Sequence, residues 1–575
     1  RSIIAQARGG RPSVAVISGL SGFGKTTVVE HVVDRASRED GVVCFTGHCS
    51  ERESIPFKAL DTAMDELAVH LCNHPVELGR VEDVAALARL FPVLRSVPEI
   101  RAIAASSALD ADPVQTRRRA ADALADLLTA VAADRPLVLV LDNLQWADLD
   151  SVQLLESVLL RPHAPPLALL CSFHEGAEAS RTPLARLLTS IRAAESMHVQ
   201  PVAIGPFSEA QSSVLAAHLL GLEPADPLAT RIAREAQGSP FFIGELARHA
   251  RSTGGLTDSV TTLSLDEVIR LRLRALPVAA RRLIEVLAIA GGRLPRAVAI
   301  KVVEATTGAL DRGTIARLRA EHLIRAESSD DSALETYHDR IRATVARDAQ
   351  TADKPALQAL HRAIADALLA TDVADKATLA HHLREAGDTE RAGHFTLAAA
   401  EEASALLAFE RAAELFSAVL ALGGLTPAET TRVRVRLAQS LADSGQLYAA
   451  ACTYREAAAA PGDASEAERT EWLRLATVHL LATGHHDEGR ATLEVLLPRV
   501  GLKMTGGTAS TIARLLGTRA LLKLRKLELP RGRPRISDAE LQRLDVCWTA
   551  TRGLIYVDGI SSSLFHARHL DLALK

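Results

Sequence analysis

The stretch Gly19–Thr27, read as GLSGFGKTT, restricts what this chain can fold into more than any other. It follows the apolar run Val14-Ala15-Val16-Ile17 and opens a segment whose Val28, Val29, Val32, Val33 and Ala36 recur on one helical face. Strand, glycine-rich loop and helix in that order are the context in which G-x-x-x-x-G-K-[ST] forms a phosphate loop. Gly19, Gly22 and Gly24 allow the tight turn that aims successive N–H groups at a triphosphate, and the helix N-terminus adds positive potential. In that arrangement Lys25 holds the β and γ phosphates, Thr26 offers its hydroxyl to Mg2+, and Thr27 closes the loop. ATP or ADP with Mg2+ is the expected ligand.

The rest of the chain cannot all serve one core, because domains average roughly 150 residues and the chain has 575. Hydrophobic residues make up 48% and aromatics only 3%, a balance that favours helices. With 66 basic and 70 acidic residues the net charge is −4, which gives no global attraction to nucleic acid or to an anionic membrane. The six cysteines show no C-x-x-C spacing, so a reducing cytoplasm is the expected compartment. No apolar run reaches the roughly 18 residues of a membrane span. Since the sequence opens on Arg1 and ends at Lys575 inside a helical pattern, it is expected to be an excerpt of a longer protein.

The order of patterns divides the chain. Val42–Thr46 reads as a second strand, and a mostly helical insertion follows from 53 to 135, with Asp112-Pro113 as a helix-start signal and Arg117, Arg118 and Arg119 as a solvated face. Leu137–Leu141 ends in Asp142, the form of a Walker B strand, whose carboxylate at the strand end can orient the water shell of Mg2+. Leu167–Cys171 and Val199–Ile204 complete a parallel sheet flanked by helices, an α/β P-loop fold over residues 1–205. Ser208 and Gln211 form a capping box that starts a helical lid, 206–260. Helices followed by two extended runs around Ser328–Asp331 suggest a winged-helix module, 261–352. The rest, 353–575, is helical. Gly445, Leu447, Ala450, Tyr454, Ala457 and Pro461 follow tetratricopeptide spacing, with Gly387, Ala392 and Ala399 and then Gly484, Gly489 and Leu496 as fainter echoes. Stacked repeats would form a solenoid with a concave face for a protein partner, and an unrelated helical bundle is the alternative.

These motifs resemble the signal-transduction ATPases with numerous domains, in particular those built on an origin-recognition-like AAA ATPase module. Gly19–Thr26, the Asp142 strand, Gln145-Trp146-Ala147-Asp148, Gly238-Ser239-Pro240-Phe241-Phe242 and Tyr337-His338-Asp339 stand in the family's order over residues 1 to about 360. The stretches Glu51–Asp61 and Leu90–Leu94, and Cys547-Trp548 with Gly553-Leu554, are similar to the regulatory half of large bacterial serine/threonine protein kinases. The resemblance implies that Asp142 supports the metal, that Pro240 senses the nucleotide from the lid, and that His338 faces the nucleotide from the winged-helix module. Two positions depart from the family. Asn143 stands where a second carboxylate polarises the attacking water, and an amide cannot accept its proton. His174 stands where an arginine senses the γ phosphate, without the bidentate fork. Both departures point to slow hydrolysis and a binding switch, with nucleotide-dependent self-association as the expected output.

Two other functions stay open at this level: a transcription regulator of the large LuxR type, and a nucleotide-free interaction scaffold. Pro530–Arg535 matches an AT-hook core, but the acidic balance favours a basic turn on the repeat surface, and nucleic acid is not an expected partner. Tyr337-His338-Asp339-Arg340 lacks the order of a kinase catalytic loop, so no kinase motif lies in these residues. His381-His382 and His485-His486 lack the partners of a metal site.

Overall fold

A computed structural model describes residues 2–50, 55–78, 80–106, 112–176, 182–195, 197–253, 264–311, 313–326, 332–371, 375–524, 537–555 and 557–574. Glu51–Ser54, the hairpin turn expected at Ser328–Asp331 and the segment Pro530–Arg535 lie outside them. The chain packs as two compact units, 1–395 with 405–408, and 396–404 with 409–575.

In the first unit, strands β1 (Ser13–Gly19), β2 (Val43–His48), β3 (Leu137–Asp142), β4 (Leu167–His174) and β5 (His198–Ala203) form one sheet in the order β2-β3-β4-β1-β5. Every pairing is parallel. Helices must therefore cover the sheet between successive strands, which is why β3 and β4 read as unbroken apolar runs instead of alternating ones. Edge strand β5 tolerates Pro201, which has no N–H to give a neighbour. The register sets Gly19 beside His174 and His48 beside Asp142, so the carboxyl ends of the strands meet along one edge, the usual ligand side of such a sheet.

The insertion before β3 ends in the helix Pro113–Asp134, capped by Asp112, whose carboxylate accepts from the N–H groups of Val114 and Gln115. The expected arginine face is only partly solvated. Arg118 is exposed, but Arg117 turns inward to Asp150 at 2.9 Å and lies 5.6 Å over the Phe57 ring. Asp150 is 1% exposed, and such a buried carboxylate needs a partner of opposite charge.

After β5 the Ser208–Gln211 capping box opens the helix Glu209–Leu220. With the helices Pro227–Glu235 and Pro240–Thr253 it closes a small core around Ala216, Ile232, Ile243 and Leu246. Further on, β6 (Leu294–Pro295), β7 (Ile324–Ala326) and β8 (Ala333–Thr336) make a second sheet in the order β6-β8-β7, antiparallel throughout. It packs with the helices Val278–Ala290, Arg296–Thr307 and Thr314–Ala320. This core continues through Ile364 and Leu383, so the helices Lys354–Leu369 and Lys376–Glu385 belong to it.

In the second unit, neighbouring helices pair: Pro427–Asp443 with Leu447–Ala459, Glu466–Ala482 with His486–Arg499, and Asp538–Leu554 with Gly559–Ala573. Gly445, at φ 85°, makes the left-handed turn that ends the first helix, a conformation side chains resist. Ala450, Tyr454 and Ala457 then fall on the buried face, with the Tyr454 hydroxyl 3.1 Å from Gln439 Oε1. No helix among the described residues is long and apolar enough to cross a membrane.

Candidate nucleotide site

The loop after β1 turns into the helix Lys25–Asp40 through Gly24, whose φ of 89° is open only to glycine at little cost. At Gly19 the constraint is space: a Cβ there would meet the Ile204 carbonyl oxygen at 2.5 Å. The Lys25 ammonium donates to the carbonyls of Gly19 at 2.9 Å and Leu20 at 3.0 Å. Burial lowers its pKa, against the pull of Asp142 and Asp339. A buried cation whose hydrogen bonds go to neutral carbonyls is suited to receive phosphate oxygens.

Thr26 Oγ1 donates to Asp142 Oδ2 at 2.9 Å, and Ser172 Oγ donates to Asp142 Oδ1. His48 Nδ1 lies 3.5 Å from Oδ2. Burial pushes the Asp142 carboxyl up, but the hydrogen bond and charge of His48, with the hydroxyls of Ser172 and Thr26, bring it down to about 2. A hydroxyl beside a carboxylate that is ionised at neutral pH supplies the hard-oxygen donors that Mg2+ takes, so the pair fits that ion.

Gln145 ties together Asn143 and His174. Its amide nitrogen donates to Asn143 Oδ1 at 3.4 Å, while its Oε1 accepts from the His174 backbone N–H at 3.2 Å. Asn143 itself sits at φ 57°, a left-handed conformation that asparagine tolerates better than most residues, and its N–H donates to Ser172 Oγ. Asp148, at the end of the same motif, caps the helix Leu149–Leu159 and accepts from the Lys58 N–H at 2.9 Å, a structural task.

The helix Pro240–Thr253 reaches the loop directly. The Phe241 N–H donates to Gly22 O at 3.2 Å, and Ser239 Oγ donates to the same carbonyl at 3.3 Å. Phe241 then stacks on His338, with ring centroids 4.0 Å apart and an angle of 18°. His338 Nδ1 accepts from the Arg340 N–H at 3.0 Å, so the neutral ring keeps its proton on Nε2. Burial, reinforced by Arg325, Lys25 and His174 against Asp339, lowers the His338 pKa to about 4. Burial and Lys25 also lower that of His174.

These elements enclose a cavity of about 480 Å3, a size that suits a nucleotide. Gly22, Gly24, Lys25, Thr26, Thr27, Asn143, His174, Pro240 and His338 all line it, while Gly19 and Asp142 stand behind that first layer. Sequence reasoning does not single out His48, Phe241 and Arg248 as site residues, yet they line the same space. For Phe241 and Arg248 a signal is present, since the two are seven residues apart on one helix and so share a face. His48 lies two residues beyond the strand end expected at Thr46.

Residues 1–170 match the family model described as an AAA ATPase domain. No curated protein sequence matches the chain. Among solved structures, a signal transduction ATPase with numerous domains and a tetratricopeptide repeat sensor from Pyrococcus horikoshii is similar at 11% identity and a TM-score of 0.46. The overlap covers 99% of this chain and 76% of that one. A Walker-type ATPase of Pyrococcus abyssi is 16% identical over 60% of this chain and 93% of its own, with a TM-score of 0.30. A chain from the Drosophila ORC complex with AT-rich DNA and Cdc6 is 10% identical over 61% and 90%, with a TM-score of 0.20. These overlaps are loose, and the functional reading rests on the site's own residues and distances.

Proposed function

We propose that the chain is a nucleotide-operated signalling switch, in which ATP or ADP with Mg2+ binds between the P-loop domain, the helical lid and a winged-helix module formed by the second sheet and its helices. One observation supports this above the others: the unbroken series from Gly22 O to the Phe241 N–H, and from the Phe241 ring to His338. A single lid residue touches both the loop that would hold the phosphates and the module beyond. Nucleotide state therefore has a direct mechanical route to that module.

In this reading Lys25 and the loop N–H groups bind phosphate, Thr26 and Asp142 hold Mg2+, and Pro240 and His338 face the nucleotide. Neutral His338 donates from Nε2 to an acceptor such as a phosphate oxygen. Mg2+, when bound, neutralises phosphate charge and fixes its orientation. Asn143 orients water through its amide but leaves the attacking water without a base, so hydrolysis is slow. The paired helices of the second unit act as tetratricopeptide-like repeats that bind a protein partner, and self-association follows in the ATP state. The likeness to the regulatory half of bacterial serine/threonine kinases makes control of a kinase domain the output to test first.

The test is the rate at which a fluorescent ADP leaves the full chain. Phe241→Ala removes the ring between loop and module, and release should accelerate at least about tenfold, the equivalent of about 1.4 kcal/mol. An unchanged rate would show that the lid contact does not hold the nucleotide.

A further inference from the structure

The helix Thr508–Leu524 of the second unit carries an apolar stripe that faces outward. Ala513, Leu516, Gly517, Ala520, Leu521 and Leu524 fall at the three- and four-residue spacing that gathers side chains on one face of a helix. All six are exposed, and Leu516, Leu521 and Leu524 keep 62%, 63% and 81% of their surface in solvent. The helix packs on Gly559–Ala573, and its buried residues, Thr511 and Leu522, lie on the side opposite the stripe. A helix of a folded domain normally turns such a stripe toward the core, whereas here it is left to water.

The charges of the helix are of one sign. Arg514 borders one edge of the stripe, and Arg519 and Lys523 border the other. All three are exposed, and among the described residues no carboxylate forms an ion pair with any of them. The helix itself contains no acidic residue. The sequence goes on in the same sense, since between residues 508 and 535 eight side chains are basic and one, Glu528, is acidic. A net charge of −4 gives the chain no global attraction to an anionic surface, so this stretch is a local exception.

We infer that the outer face of the helix Thr508–Leu524 docks on the surface of an anionic lipid bilayer. A bilayer presents hydrocarbon and negative charge in one plane, and a basic helix with an apolar stripe lies in that plane with its cations among the headgroups. Arg514, Arg519 and Lys523 flank the stripe, so their apolar stems run beside the leucines while their charges reach the lipid phosphates. Other occupants satisfy only half of the face. A second copy of the helix would bring cations against cations with no carboxylate on the helix to pair them. Nucleic acid would meet the cations but leave the leucines wet. One convex helix face also lacks the groove that a partner helix needs. The contact is peripheral, because no helix among the described residues is long and apolar enough to cross a membrane.

The test is co-sedimentation of the full chain with vesicles of phosphatidylcholine alone and of an equal mixture of phosphatidylcholine and phosphatidylserine. The chain should bind the mixed vesicles at least about tenfold more tightly than the neutral ones, and added salt should weaken that binding. Leu516→Ser with Leu521→Ser leaves the charge unchanged and should lower the affinity at least about tenfold. Arg519→Gln with Lys523→Gln should lower it as well. All four side chains are exposed, so the fold survives their replacement, which an unchanged circular dichroism spectrum checks. No binding to the mixed vesicles, or equal binding by the leucine variant, overturns the proposal. It falls equally if vesicles fail and the variants instead lose a dimer of the unmodified chain or its complex with a DNA duplex. The assay contains no nucleotide, so its outcome is independent of the switch.

Discussion

Asn143 and His338 show how single side chains would set the character of the proposed nucleotide site. Asn143 occupies a left-handed position beside Asp142, with its amide held by Gln145, so a carboxylate placed there would stand at the same spot with the ability to accept a proton. Asn143→Asp should raise ATP turnover, measured as phosphate release, by about 10²-fold, the lower range for an added general base. Rapid turnover by the unmodified chain would contradict this account of the residue. His338 makes a different forecast. Its pKa of about 4 in the fold lies below the ordinary imidazole value near 6.5, so the unfolded chain binds more protons between those values. Stability contributed by the neutral ring is present above about pH 6.5 and is lost as pH falls toward 4. The thermal midpoint should therefore drop from pH 7 to pH 5, and His338→Gln should flatten that drop; an equal drop in both chains would refute the assignment. Asp142 does not interfere, since its pKa is already about 2.

At the scale of elements, the helix Pro240–Thr253 has two attachments with different roles. Its first turn meets the P-loop through Phe241, and its second turn buries Glu245 at 0% exposure. Glu245 accepts from Arg248 at 2.5 Å and from Arg272 of the helix Leu265–Arg274, and Arg272 also donates to Glu321 O at 2.8 Å. One carboxylate thus joins the helix Pro240–Thr253 to the helix after it and to the end of the helix Thr314–Ala320. Removing one member of a buried ion cluster leaves the others uncompensated, so Glu245→Ala should cost about 3 to 5 kcal/mol of stability by denaturant unfolding. A loss below about 1 kcal/mol would mean that water reaches the arginines freely. In the second unit the hydroxyl of buried Tyr454 has Gln439 as its acceptor, and Tyr454→Phe should cost only about 1 kcal/mol.

Across the whole molecule, the features legible in the sequence are those whose physics is local. Gly19–Thr27 declares itself because a tight turn, a phosphate nest and a helix start all need residues at fixed spacing. The five strands of the large sheet are visible as short β-branched or leucine-rich runs, and Ser208 and Gln211 mark the helix after them. The gaps are long-range. Arg117 reads as a solvated position because nothing near it in sequence reveals that Asp150, 33 residues later, needs its charge. Phe241 looks like the tail of a lid motif, yet its stacking partner lies at 338. His48 gains its place beside Asp142 only from the register of β2 against β3.

The claim on which the rest depends is that the cavity above Gly19–Thr27 binds a magnesium nucleotide. Calorimetric titration of Mg-ATP and of ADP into the full chain, and into Lys25→Ala, tests it most directly. The unmodified chain should bind both nucleotides, and Lys25→Ala should weaken binding at least tenfold, because a buried cation that meets phosphate oxygens is lost. No measurable affinity in the unmodified chain, or equal affinity in the two chains, would contradict a nucleotide-operated switch.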